Sequence, residues 1–248
     1  MNNEDIEELN YSKSIHPNFL FTETELYIRH NKLTKFPENF IKSAPDLIEL
    51  DLGHNPLFQI SDIIGDLKKL KFLNLEATEI NQLPDCFRQL STLEFLDLSG
   101  NNFTELPDFI GELTNLTELN LSGNDLTRLP DSIGNLKKLT KLFLRNNYLT
   151  ELPDTLGQLT QLKTLNLRVN QLTKLPNSIG ELSNLTELHL ALNSINELPD
   201  SIANLTNLRF LDLFGNQLTE LPKTFGHLKT LSFLRVTGNK LNDLAENN

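Results

Sequence analysis

Residues 93–103 read Leu93-Glu94-Phe95-Leu96-Asp97-Leu98-Ser99-Gly100-Asn101-Asn102-Phe103. Leu96 and Leu98 flank one residue, so they point to one side of a short strand while Phe95 and Asp97 point to the other. Asn101 then suits a turn, because its side-chain amide can bond nearby backbone groups. The same string returns 23 residues later at Asn124, and at the same interval at Asn147, Asn170, Asn193, Asn216 and Asn239. Towards the N-terminus Thr78 replaces the asparagine, followed by Asn55 and Asn31, the last step being 24 residues. Ten units result.

Each unit continues in a fixed way, as in Leu126-Thr127-Arg128-Leu129-Pro130-Asp131-Ser132-Ile133-Gly134. Eight of the eleven prolines hold the Pro130 position, where they block a strand. Gly65, Gly111, Gly134, Gly157, Gly180 and Gly226 share the next landmark, releasing a short helical turn. One unit buries too little apolar surface to offset its backbone entropy, so units must stack and share their cores.

The chain resembles the leucine-rich repeat family, in the 23-residue form of bacterial and plant intracellular proteins. That resemblance implies an α/β leucine-rich-repeat solenoid, or horseshoe, with a ten-stranded parallel β-sheet inside and loops or short helical turns outside. Residues 23–244 form the repeats, 1–22 an N-terminal cap with a short helix from Asn3 to Leu9, and 245–248 a C-terminal tail. The family also implies a non-catalytic protein-binding scaffold acting through its concave face, as an intracellular adaptor or regulator of signalling. A secreted effector acting on host proteins is the alternative.

Composition narrows the function classes. The 248 residues are 38% hydrophobic and 22% charged, as in a soluble globular chain. No run approaches the roughly 18 apolar residues of a membrane span, and the acidic start is unlike a secretory signal. A net charge of −11 disfavours nucleic acid and anionic membranes as partners. Cys86 is the single cysteine, so no intrachain disulfide forms and a reducing, cytoplasmic setting is expected. No nucleotide loop, nucleophile elbow or paired-cysteine spacing appears, and no cofactor is expected. His30 and His54 precede the asparagine in adjacent units, with Asp51 and Glu76 nearby, which gives a weaker reading as a metal-dependent enzyme.

Positions that repeat build the scaffold, so recognition lies in the varying residues of the inner face. Units one to five carry eight acidic residues there against Arg29 and Lys32. Units six to ten carry Lys141, Arg145, Arg168, Arg235 and Lys240 against Glu187 and Asp212. Phe143, Tyr148, Val169, Leu192 and Phe214 add apolar groups where solvent favours polar ones. Aromatic residues interleaved with arginine have the composition of a protein-binding hot spot. The expected partner-binding residues are therefore Phe143, Arg145, Tyr148, Arg168, Val169, His189, Leu192, Asp212, Phe214 and Arg235, facing an acidic patch of a protein. The last strand, near Phe233-Leu234-Arg235-Val236, is an unprotected edge that favours a monomer or weak self-association.

Overall fold

A computed structural model describes residues 19–241; the expected helix at Asn3–Leu9 and Leu244 lie outside them. One eleven-stranded sheet runs in chain order. Its strands are β1 (Phe19–Phe21), β2 (Glu25–Ile28), β3 (Glu49–Asp51), β4 (Phe72–Asn74), β5 (Phe95–Asp97) and β6 (Glu118–Asn120). They continue through β7 (Lys141–Phe143), β8 (Thr164–Asn166), β9 (Glu187–His189), β10 (Phe210–Asp212) and β11 (Phe233–Arg235). Strands β2 to β11 are parallel and supply the ten repeats. Strand β1 is an addition to the expected ten, pairing antiparallel with β2 so that Leu20 faces Tyr27. Its three residues precede the first repeat, so no periodic signal marks them. The outer half of each of the first nine repeats is a 3-10 turn, such as Asp131–Asn135, except for a helix α1 at Glu38–Ser43 in the first.

The register places one leucine of each repeat in line. Leu142, Leu165 and Leu188 are direct partners across β7, β8 and β9, and each is completely buried. A 23-residue period puts the same side chain on every layer, so each leucine packs against its own copies above and below.

The asparagines close the turns. Asn147 Nδ2 donates to the carbonyls of Leu121 and Leu144, and its Oδ1 accepts from the Leu126 N–H. Thus one side chain serves backbone groups of two layers; the carbonyls are shared with Asn124 and Asn170, and the Leu126 N–H would otherwise be buried without a partner. Gly111 and Gly180 mark the tightest approaches between outer turns: a Cβ there would lie 2.3 Å from the Ser132 and Ser201 carbonyl oxygens. At the last repeat this crowding vanishes. Gly226 has open space around it, and Leu234 is 41% exposed where its equivalents are buried.

Candidate functional site

Each strand sends alternate side chains out of the concave face, which separates into two halves. In the N-terminal half several charges are paired with one another. Arg29 bonds Glu76 and lies 3.8 Å from Asp51, and the Tyr27 hydroxyl donates to Glu49. Burial and then the Glu49 carboxylate hold the Tyr27 phenol well above its ordinary pKa. His30 and His54 stack face to face, with ring centroids 4.2 Å apart, and His54 Nε2 is 3.3 Å from Glu76. Stacked rings direct their nitrogens sideways rather than towards a shared point. Among the described residues no group of three or more His, Cys, Asp or Glu side chains could hold a metal. The weaker metal reading thus has no ligand set in this half. Cys86 is half-buried, and desolvation raises its thiol pKa, which suits a packed thiol rather than a nucleophile.

The C-terminal half differs. Lys141 is neutralised by Glu118 at 2.9 Å. Arg145 is exposed, and Arg168, one layer on, is half-buried. Neither has an ion-pair partner among the described residues, and the Arg168 Nε is buried without an acceptor. Around them Phe143 is half-buried, Tyr148 is 50% exposed and Leu192 is 39% exposed. Further along, Arg235 covers the Phe214 ring at 3.9 Å, a cation–π contact. The His189 ring lies 4.6 Å from that of Phe210, with Nε2 3.6 Å from Glu187.

Asp212 stands apart from the others. It is only 7% exposed, and its Oδ1 accepts from the Phe214 N–H. Asp51, Asn74, Asp97, Asn120 and Asn166 make the same bond to the residue two places on. This position therefore ends a strand by capping its backbone, and the acidic character counted there from sequence is partly structural. Phe210 and Phe233, stacked at 4.4 Å, extend the aromatic surface beyond the expected residues. The recurrence of phenylalanine at this position in adjacent repeats already pairs the two rings from the sequence, as it does Phe72 and Phe95.

Backbone conformation adds a feature that residue type alone does not show. The residue before each ladder asparagine is left-handed, with Val169 at φ 58° and Leu192 at φ 59°. That region costs an L-residue roughly 1–2 kcal/mol and is an outlier for a β-branched one.

The sequence matches the leucine-rich repeat region family over residues 49–143 and 109–194, and the leucine rich repeat family over residues 183–241. These are repeat families rather than catalytic ones. A leucine-rich repeat protein of Leptospira interrogans is 38% identical with a TM-score of 0.83, the match covering 86% of this chain and 54% of that one. A plant peptide hormone receptor, RGFR1, solved in complex with RGF2, is 31% identical with a TM-score of 0.71, over 82% and 34% of the two chains. The Drosophila Toll–Spatzle complex gives 26% identity and a TM-score of 0.72, over 87% and 33%. The chain thus spans about half the length of the Leptospira protein and about a third of the other two. No helix among the described residues is long and apolar enough to cross a membrane. Repeats of this kind generally mediate protein–protein interaction, and the chain belongs to the leucine-rich repeat family.

Proposed function

We propose that the chain is a non-catalytic scaffold that binds a partner protein on its concave face, centred on β7 to β9. One observation carries this reading: two arginines without ion-pair partners among the described residues, one with a desolvated Nε, stand beside exposed Tyr148 and Leu192. A merely solvated face needs neither. The strands beneath are held by the asparagine ladder, so docking orders little new structure. The positive groups favour an acidic patch on the partner, and the acidic N-terminal half repels wrong registers. The single half-buried thiol fits a reducing compartment, and we place the protein inside the cell as an adaptor or regulator of signalling.

Pull-down from the native cell with mass spectrometry identifies the partner, and substitution then locates the site. Phe143→Ala and Arg168→Ala are each expected to weaken binding by about 1–3 kcal/mol with the fold intact. Unchanged affinity in both, with a loss in Glu76→Ala, moves the site to the acidic half.

The same reading includes weak self-association through β11. The Val236 N–H is the equivalent of the Leu213 N–H, which donates to the Arg235 carbonyl, and Leu234 beside it is exposed. Arg235 and Lys240 repel their copies across a two-fold axis, so association should strengthen with salt. Sedimentation velocity at high concentration tests this; a strict monomer at low and high salt excludes it.

A further inference from the structure

Gly100, Gly123, Gly215 and Gly238 hold the left-handed position in four repeats, where the absence of a Cβ removes the steric cost. His30, His54 and Ala77 hold it in the first three repeats and Asn146 in the β7 repeat of the candidate site, while Val169 and Leu192 hold it in the β8 and β9 repeats of that site. Neither side chain is needed to make the turn, since glycine makes the same turn in repeats on both sides. Neither is hidden in the core: Leu192 is exposed and Val169 half-buried. The structure makes room for Leu192, because a Cβ on Gly215 would come within 2.9 Å of Leu192 Cδ2. Arg168 immediately precedes Val169 in the chain, and Arg145 stands one layer away. An aliphatic pair thus adjoins a pair of cations without ion-pair partners.

We propose that Val169 and Leu192 are specificity-determining residues, kept in an unfavourable backbone conformation because they form an apolar seat beside the arginines. The occupant is an extended polypeptide segment in which a carboxylate side chain neighbours a branched aliphatic one. The carboxylate supplies the acceptor that Arg168 lacks, and the aliphatic group covers Val169 and Leu192. This inference rests on the concave-face reading and adds the composition and linear form of what is bound.

The sign of the stability change separates this role from a packing role. Removing a packing side chain lowers stability, whereas glycine at a left-handed position relieves strain. Val169→Gly is therefore expected to hold the melting temperature or raise it, by up to about 4 °C. Val169→Thr keeps the branched shape and the strain but replaces a methyl with a hydroxyl.

The test uses the full chain as bait for a displayed library of random short peptides. Enriched peptides are then synthesised and titrated by fluorescence anisotropy. Expected are sequences that pair Asp or Glu with Leu, Ile or Val. Their affinity should fall about tenfold in Val169→Gly, Val169→Thr and Leu192→Gly, and also in Arg168→Ala. A loss confined to Arg168→Ala overturns the aliphatic seat and leaves the concave-face reading standing. A lower melting temperature in Val169→Gly overturns the strain argument. No enrichment over the bare support overturns the linear segment, while a folded partner sensitive to Phe143→Ala keeps the broader reading.

Discussion

Asn147→Leu is expected to destabilise the chain by about 2–4 kcal/mol, since it strands one buried N–H, at about 1–3 kcal/mol, and removes two further hydrogen bonds. The Leu126 N–H loses its acceptor, while the Leu121 and Leu144 carbonyls each lose one of two donors and keep Asn124 and Asn170. Leucine fills a similar volume but offers them nothing, and the site is too enclosed for easy rescue by water, as Asn147 is buried. A natural comparator lies in the third repeat. There Thr78 Oγ1 donates to the Leu75 carbonyl, serving one carbonyl of the two that Asn147 serves. The earlier carbonyl at that level, Leu52, is covered by Asn55. Asn147→Thr should therefore lose less than Asn147→Leu in a urea titration. Equal losses would show that the ladder acts through shape rather than hydrogen bonds.

The scaffold was legible because its period is fixed. Once Leu96, Leu98 and Asn101 are recognised as a unit, every copy inherits inward leucines and a closing asparagine, and the structure repeats them layer by layer. Strand β1 was not legible, since three apolar residues carry no period and pair only because β2 presents a free edge. The candidate site was legible in part. Arg145, Arg168, Tyr148 and Leu192 read as exceptions to a polar face; among the described residues neither arginine has an ion-pair partner, and Tyr148 and Leu192 are exposed. Asp212 read as another charge for recognition, yet its carboxylate is turned back onto the Phe214 N–H. That bond depends on where the strand ends, which composition does not specify. The strain at Val169 was equally hidden, because a repeat alignment shows which residue replaces glycine but not the φ it must adopt.

The interior and the C-terminal end of the array are not equivalent in energy, and a matched pair of substitutions measures the difference. Leu165→Ala should cost about 2–5 kcal/mol, the usual loss when a buried leucine leaves a cavity. Leu165 is completely buried between Leu142 and Leu188 in register, so truncation removes contacts with two layers. Neither neighbouring strand can collapse inward, because each is fixed by its own asparagine. Leu234 holds the same position in β11, pairs only with Leu211 among the described residues, and is 41% exposed. Its truncation removes contacts on one side of a group already partly in water, so Leu234→Ala should cost less than half as much. Stability in a stacked array is a sum of repeat and nearest-neighbour terms, so the terminal layer can also fray without unfolding the rest. Urea titration followed by circular dichroism reads both losses. Equal values would mean that another chain segment, or a second copy, covers the last strand in solution. In that case the Leu234→Ala loss should depend on protein concentration if the cover is a second copy, and be independent of it if the cover belongs to the same chain.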